Sequence, residues 1–210
     1  MAISCLVISV TMGLMSEITQ KPKVLFIVGM SGAGKSTCIE HLETKGIPSV
    51  YFGGIVVEEV KRRHDGQTNE AWEKIVREEF RAKDGKAAIV LRIIPKIDKL
   101  LETHDKVVAD GLYSWTEYKV VKEHYGDACL IVAITAPRHV RHKRLAHRPI
   151  RPLNEAEVTA REYAEIENIE KGGPIANADY TVNNDKDPAE MIHTLDNVLI
   201  ETGFLEPKQF

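Results

Sequence analysis

The chain has 210 residues, of which 43% are hydrophobic and 28% charged, and its formal net charge is −3. These values are ordinary for a globular protein, and the length suffices for one sizeable α/β domain with a buried core. The slight negative charge argues against bulk electrostatic binding of nucleic acid. The sequence contains no apolar run of about 18 residues, the length that a membrane-spanning helix needs. The three separated cysteines can build neither a disulfide framework nor a four-cysteine zinc site, so we expect a cytoplasmic protein with no membrane partner.

The segment before the first predicted strand, residues 1–22, is expected to be an extension outside the folded domain. It is mildly apolar, but it lacks the basic start and the small-residue cleavage site of a secretory signal peptide. Met15 opens a polar stretch just ahead of the strand, which makes it an alternative start residue. We therefore expect a single domain over residues 23–205.

A phosphate-binding loop follows the first predicted strand, residues 23–28, and fits the pattern G-x-x-x-x-G-K-[ST]. Its glycines allow backbone dihedrals that a Cβ would block, so successive N–H groups can surround a phosphate, and the following helix adds its positive dipole end. We expect Lys35 to reach the β- and γ-phosphates and Ser36 to bind Mg²⁺. The predicted nucleotide-binding residues of this P-loop are Gly29, Ser31, Gly32, Ala33, Gly34, Lys35, Ser36 and Thr37.

Strands and helices alternate along the rest of the chain. The predicted elements are a helix to about residue 45, a strand at 47–52, helices at 55–64, 68–84 and 87–101, a strand at 106–109, a helix at 115–125, a strand at 128–135, a basic helix within 138–151, a helix at 154–171, a strand at 178–182 and a helix at 187–203. Thr68, Asn154 and Asp187 are the predicted N-caps. This alternation predicts a three-layer α/β fold with a parallel sheet of about five strands.

The strand at residues 106–109 ends in Asp110-Gly111. Apolar residues leading to an acid at the end of a strand give the Walker B pattern. In an open α/β sheet that end faces the ligand crevice, beside the P-loop. We therefore expect Asp110 to hold Mg²⁺, directly or through water. The alternative is a turn-forming Asp-Gly pair with no role in metal binding, which is common after strands.

The P-loop, the helical stretch after the second strand, Asp110-Gly111 and a basic R-x-x-x-R helix together resemble the P-loop nucleoside and nucleotide kinases. The resemblance is greatest to dephospho-CoA kinase and to an archaeal group of kinase-like proteins, and it covers residues 23–200. It implies a P-loop core, a helical substrate-binding segment at about 53–103 and a lid at about 138–175. It also implies ATP and Mg²⁺ as cofactors and a small-molecule phosphate acceptor. We expect a monomer or a homodimer.

The same resemblance implies roles for three arginines of the lid. Arg144 matches an arginine that stacks on adenine, Arg148 one that contacts the transferring phosphates, and Arg161 one that closes over the substrate. The segment 183–185 resembles the loop beside the adenine ring. Arginine suits such positions because its planar, always-charged fork matches the phosphate oxygens on which charge gathers. The predicted catalytic residues are Lys35, Asp110, Arg148 and Arg161.

The phosphate acceptor is the least defined part of the prediction. Dephospho-CoA kinases carry an acid just after the second strand, whereas this chain has Gly53-Gly54 there, and its nearest acids are Glu58 and Glu59. An acceptor phosphate or hydroxyl can attack without a strong protein base, so a nucleotide, a nucleoside and a dephospho-CoA-like molecule are all retained as candidate acceptors. The candidate acceptor-binding residues are Arg62, Arg63, Arg77 and Arg92.

The leading functional hypothesis is therefore transfer of the ATP γ-phosphate to a small molecule. The alternative is a nucleotide-binding protein or slow ATPase acting through a partner, with RNA bound along the basic run, residues 138–151. That run holds six Lys/Arg, three His and no acid, and we expect its histidines to be surface residues without carboxylate neighbours. A GTPase is disfavoured because no N-K-x-D motif is present, and an AAA-type motor because no second domain follows the core.

Overall fold

The computed structural model describes residues 21–149 and 151–207. The predicted N-terminal extension thus lies outside the described residues, apart from Lys21 and Pro22. The strands are β1 (Val24–Val28), β2 (Ser49–Tyr51), β3 (Val107–Asp110), β4 (Cys129–Thr135) and β5 (Tyr180–Asn183). The helices are α1 (Lys35–Thr44), α2 (Gly54–Arg63), α3 (Glu70–Asp84), α4 (Val90–Leu101), α5 (Trp115–Tyr125), α6 (Arg138–His147), α7 (Glu155–Glu167), α8 (Gly172–Ala176) and α9 (Pro188–Glu201). Within these two ranges no helix is long and apolar enough to cross a membrane.

The strands form one parallel sheet in the order β2-β3-β1-β4-β5. Phe26 of β1 is in register with Ala109 of β3 on one side and with Ile131 of β4 on the other. The strand that leads into the P-loop is therefore central, and the strand that ends at Asp110 lies directly beside it. The predicted parallel sheet of five strands is confirmed.

Helices cover both faces of this sheet. Val24, Phe26 and Val28 of β1 pack into a cluster with α2, α3, α4 and α5. The alternate residues Leu25 and Ile27 pack into a second cluster with α1 and α9. A strand buried on both faces has a continuous apolar sequence. Each large apolar side chain that is fully buried stabilises the fold by about 1.5–3 kcal/mol. This confirms the three-layer α/β architecture and gives the P-loop a rigid base.

The helix starts follow local side-chain chemistry. Asn154 and Glu157 form the predicted capping box at α7, each side chain accepting a hydrogen bond from the other residue's backbone N–H. Asp187 caps α9 as predicted. The prediction of Thr68 as the cap of α3 is wrong. Asn69 caps that helix instead, because its side-chain oxygen accepts from the backbone N–H three residues on.

A second correction concerns the end of α7, which was predicted to reach Lys171. The helix ends at Glu167, and Glu170 adopts a left-handed conformation with φ 60°. The backbone N–H of Lys171 then donates to the Glu165 carbonyl at 3.0 Å. The chain is therefore turned sharply, and Lys171 lies back against the last turns of α7.

Candidate nucleotide-binding site

The P-loop connects the central strand β1 to α1, and Lys35 is the first residue of that helix. Its Nζ donates to the carbonyls of Gly29 at 2.9 Å and Met30 at 3.3 Å, so the ammonium lies within the loop. Burial and the charge of Lys171 together lower the pKa of Lys35 to about 8, against the opposing effect of Asp110. The loop thus holds a cation that is poorly compensated by the protein itself.

Two glycines allow neighbouring elements to approach the P-loop closely. Gly29 has φ 145°, and a Cβ there would lie 2.3 Å from the carbonyl oxygen of Ile134 at the end of β4. Gly34 has φ 107°, and a Cβ there would lie 2.2 Å from the side-chain nitrogen of Asn184. That nitrogen donates to the Ala33 carbonyl at 2.7 Å. The loop is therefore braced by β4 and by the segment that follows β5.

Asp110, the last residue of β3, carries a feature that suits a cation. Its Oδ1 is buried and has no hydrogen-bond partner among the described residues. Burial raises the pKa of Asp110, while the charges of Lys35 and Lys171 lower it. Within 21–149 and 151–207 no cluster of three or more His, Cys, Asp or Glu could hold a metal alone. Mg²⁺ needs only one or two protein groups beside phosphates and waters, so Asp110 and the exposed Ser36 fit it.

Helix α7 brings an acid and an arginine to the P-loop. Ser31 Oγ donates to Glu165 Oε1 at 2.6 Å, and Arg161 Nε donates to the same oxygen at 3.2 Å. Lys171 Nζ forms an ion pair with Glu165 Oε2 at 2.9 Å, and the Lys171 side chain is only 4% exposed. Two hydrogen-bond donors and one ammonium, from three segments, therefore converge on one carboxylate. These attractions keep the pKa of Glu165 at about 2, although burial alone would raise it.

Two tyrosines, Tyr51 and Tyr113, lie at the edge of the site where dephospho-CoA kinases would carry an acid after the second strand. Lys171 Nζ is 4.9 Å from the centre of the Tyr113 ring. Burial and the charge of Asp110 raise the pKa of Tyr113. Tyr51, at the end of β2, is 53% exposed, and its ring covers Gly53 so closely that a Cβ there would lie 2.5 Å from it. The edge of the site next to β2 is thus aromatic.

One acid neutralises part of the basic run. Glu162 of α7 accepts from Arg138 Nε at 3.0 Å, pairs with Arg141, and lies 3.1 Å from His142 Nε2. The prediction that the histidines lack carboxylate neighbours is therefore wrong for His142, because Glu162 reaches it from a different helix. Arg141 is buried and also donates to the Ser31 carbonyl at 3.4 Å. It serves as a link between α6, α7 and the P-loop.

The predicted lid arginines occupy different surroundings. Arg144 Nη2 donates to Asn184 Oδ1 at 3.2 Å, which places it beside the segment expected to adjoin adenine. Its Nη1 is buried and has no hydrogen-bond partner in the described part of the chain. Arg148 Nε instead donates to the Arg151 carbonyl at 2.6 Å, a contact local to the loop after α6. Arg144 and Arg161 are each linked to the P-loop through one residue, Asn184 for Arg144 and Glu165 for Arg161.

Three of the four candidate acceptor arginines are paired with acids, two of them within α2 and one between α4 and the last residue of α3. Arg62 and Arg63 both donate to Glu59. Arg92 donates to Asp84 at 2.5 Å. These contacts give each guanidinium a structural partner, so their assignment to an acceptor remains a prediction.

Sequence reasoning missed Glu165, Lys171 and Tyr113. The spacing of four between Arg161 and Glu165 is the one available signal, since it places both on the same helical face. Nothing in the sequence marks Lys171, which was predicted as the last residue of a helix before two glycines, or Tyr113, which follows the Walker B strand as an ordinary apolar position.

A family model described as AAA domain matches residues 25–168, a range that includes the P-loop, Asp110 and Arg161. The expectation that the chain is not an AAA-type motor depends on a second domain, which this match does not address, and it stays a prediction.

Curated relatives are archaeal proteins. The UPF0200 protein of Thermococcus onnurineus is 32% identical over 168 residues, which cover 77% of this chain and 88% of that protein. The one from Saccharolobus islandicus is 30% identical, with coverage of 84% and 92%. A UPF0200/UPF0201 protein of Archaeoglobus fulgidus is 40% identical over 126 residues, and the match covers 60% of this chain but only 39% of that longer protein.

Similar solved structures include several small-molecule kinases. A shikimate kinase from Bacteroides thetaiotaomicron has a TM-score of 0.53 at 16% identity, with coverage of 87% of this chain and 99% of that one. A gluconokinase from Sinorhizobium meliloti has a TM-score of 0.52 at 18% identity, with coverage of 89% of this chain and 99% of that one. A dephospho-CoA kinase from Campylobacter jejuni has a TM-score of 0.50 at 16% identity, with coverage of 87% of this chain and 98% of that one. At these identities the likeness establishes the fold, which is that of the P-loop kinases.

Proposed function

The chain belongs to the UPF0200 family and matches the AAA domain model, and from that premise we propose that it is a P-loop kinase that phosphorylates a small molecule with ATP and Mg²⁺. The observation that carries the proposal is the assembly of charges around one loop. Arg161 is joined to Ser31 of the loop through Glu165, and Asp110 ends the strand beside β1 with a buried oxygen that accepts no hydrogen bond from the described residues. A cation from a separate helix is what phosphoryl transfer uses to stabilise charge on the moving group.

Each residue of the site has a distinct task in this proposal. The P-loop N–H groups and Lys35 bind the phosphate chain and fix its position. Ser36 and Asp110 would hold Mg²⁺, which when bound neutralises charge on the β- and γ-phosphate oxygens. Arg161 donates to the transferring group, and such an arginine contributes roughly 10³–10⁵ in rate in other enzymes of this chemistry. Arg144 and Asn184 support the base of the nucleotide.

The acceptor is proposed to bind at the carboxyl end of β2, next to β3. Tyr51 and Tyr113 line this edge, and Gly53-Gly54 supplies no acid. The chain's residues would therefore orient an acceptor hydroxyl or phosphate rather than deprotonate it, so that positioning supplies the catalysis. A nucleotide, a nucleoside and a dephospho-CoA-like molecule are the candidate acceptors.

The test is ADP release from ATP and Mg²⁺ against a panel of acceptors. The panel contains AMP, CMP, UMP, dTMP, GMP, nucleosides and dephospho-CoA, with shikimate and gluconate added because kinases of this fold use them. Lys35→Ala is the blank, and Lys45→Ala, a lysine paired with Asp196 away from the loop, is the matched control. Turnover that depends on one acceptor and is lost only in Lys35→Ala would establish the kinase.

The alternative function is a slow ATPase or nucleotide-binding protein that acts through RNA. It draws support from Lys143 and Arg151, which are exposed on the basic run. If ATP binds and no acceptor stimulates ADP release, this result would favour the alternative function. RNA affinity would then fall steeply with salt, and Lys143→Glu with Arg151→Glu would abolish it. Salt-independent or undetectable RNA binding would contradict it.

A further inference from the structure

Lys171 is a buried lysine that the proposed function leaves without a task. Its side chain is 4% exposed, its Nζ lies 2.9 Å from Glu165 Oε2, and the Tyr113 ring lies 4.9 Å from it. A buried ammonium is costly, and a single buried ion pair often fails to offset the cost of desolvation. A buried lysine beside a catalytic loop therefore calls for a reason beyond stability.

The charge of Lys171 acts at the phosphate site. It is the largest charge contribution to the lowered pKa of Lys35, and it also acts on Asp110. Its partner Glu165 is bonded to Ser31 of the P-loop. A structural pair that only fastens the turn after α7 would not need this hydrogen bond to the P-loop. The pair is instead part of the loop that holds phosphates.

The charges of this cluster do not cancel. Lys35, Arg161 and Lys171 are cations, and Asp110 and Glu165 are anions, so the five sum to one positive charge. Glu165 alone collects a hydroxyl donor, a guanidinium donor and an ammonium. Phosphate oxygens attract these same donors, because carboxylate and phosphate share charge sign and acceptor geometry.

We propose that Glu165 is a built-in substitute for the γ-phosphate, and that Lys171 is a second phosphate-binding lysine that exchanges the Glu165 carboxylate for a γ-phosphate oxygen when ATP binds. Arg161 and Ser31 change partner in the same step. The Tyr113 ring face keeps the ammonium in place during the exchange, as a cation–π partner. This inference rests on the proposed function only in requiring that ATP binds at the P-loop.

The exchange predicts discrimination between ATP and ADP. Binding of each nucleotide with Mg²⁺ would be measured by calorimetry for the unaltered protein, for Lys171→Met and for the control Lys86→Met. Lys86 is an exposed lysine paired with Glu170, the residue next to Lys171. Lys171→Met should weaken ATP binding about tenfold or more and ADP binding far less, as expected for loss of a charged hydrogen bond. Lys86→Met should change neither.

Two failures are distinguishable in this experiment. If the unaltered protein binds neither nucleotide, the proposed function itself is wrong. If it binds both and Lys171→Met leaves the ratio of the two affinities unchanged, the role of Lys171 is wrong while the proposed function stands.

Glu165→Gln provides a second test, which decides the matter if Lys171→Met fails to fold. Glutamine keeps the shape but removes the negative charge that competes with phosphate. The proposal expects ATP to bind about threefold to tenfold more tightly, with a rise in the preference for ATP over ADP. The control Glu167→Gln alters an exposed acid on the same helix. Weaker or unchanged ATP binding by Glu165→Gln would show that Glu165 only positions its neighbours, and would overturn the proposal.

Discussion

Ser31 Oγ donates a 2.6 Å hydrogen bond to Glu165 Oε1, and this bond joins the P-loop to α7 across 134 positions of sequence. The Ser31 carbonyl also accepts from Arg141 of α6 at 3.4 Å. One P-loop residue is thus held by both helices of the predicted lid. A change that breaks either of these contacts is therefore expected to alter nucleotide binding as well as stability.

Nucleotide binding is predicted to depend on pH through Lys35. Its pKa of about 8 means that the ammonium needed for phosphate loses its proton above that pH. The Kd for ATP should be constant below pH 8 and should rise by up to about tenfold per pH unit above it. Lys35→Arg remains charged and should not show this rise. A profile for the unaltered protein that stays flat to about pH 10 would contradict the assignment.

Lys35 is also predicted to reduce stability. Its folded pKa lies below the usual lysine value of 10.5, so the ammonium destabilises the folded protein below pH 8, and the penalty is relieved between pH 8 and 10.5. Lys35→Met should therefore raise the free energy of unfolding at pH 7 by about 1–3 kcal/mol. The gain should shrink at about pH 10. Urea denaturation at pH 7 and at about pH 10 measures this change in the free energy of unfolding. A lower free energy of unfolding for Lys35→Met at pH 7 would contradict the prediction.

Gly34→Ala is predicted to damage the site more than a comparable glycine elsewhere. An added Cβ would collide with Asn184, which holds the Ala33 carbonyl. Gly46→Ala is the matched control, because Gly46 also has a positive φ but has no atom within 4 Å of an added Cβ. Gly46→Ala should cost about 1 kcal/mol, from backbone strain alone. Gly34→Ala should cost more and abolish ATP binding. Equal effects in denaturation and calorimetry would refute the collision.

Asp110→Asn is predicted to separate metal use from nucleotide binding. The amide removes the charge for Mg²⁺ while keeping the shape, so the Mg²⁺ concentration that gives half-maximal transfer should rise by at least about tenfold. Because burial raises the pKa of Asp110, the carboxylate is destabilised at neutral pH, and the variant should be at least as stable thermally as the unaltered protein. The control is Asp105→Asn at an exposed position before β3. An unchanged Mg²⁺ requirement would remove Asp110 from the metal site.

Glu162→Ala is predicted to destabilise the junction of α6 and α7. It leaves the buried Arg141 without its carboxylate partner, and losing one member of a buried pair costs about 3 kcal/mol or more. The attached cations lower the pKa of Glu162, against the opposing effect of burial, so the stabilisation is present above the unfolded pKa and is lost as pH falls through the folded value. Thermal unfolding of Glu162→Ala and of the exposed control Glu155→Ala measures it. Similar Tm values for the two variants would argue against this role.

Much of the fold follows from short-range patterns. The P-loop, the strand ending at Asp110, and the caps Asn154 and Asp187 were all predictable, because each depends on residues a few positions apart. The exact cap of α3 and the end of α7 were not. Thr68 and Asn69 are both good N-caps, and the left-handed turn at Glu170 has no glycine to announce it.

The sequence by itself determined the phosphate-binding loop, the parallel three-layer fold and the positions of Lys35 and Asp110, since periodicity and a contiguous motif encode them locally. Only the tertiary structure decided which charges meet. The contacts of Ser31 with Glu165, of Glu162 with His142, and of Lys171 with the Tyr113 ring join segments far apart in the chain. Their pairing depends on how α6 and α7 pack against each other and against the P-loop, and no local pattern records that packing.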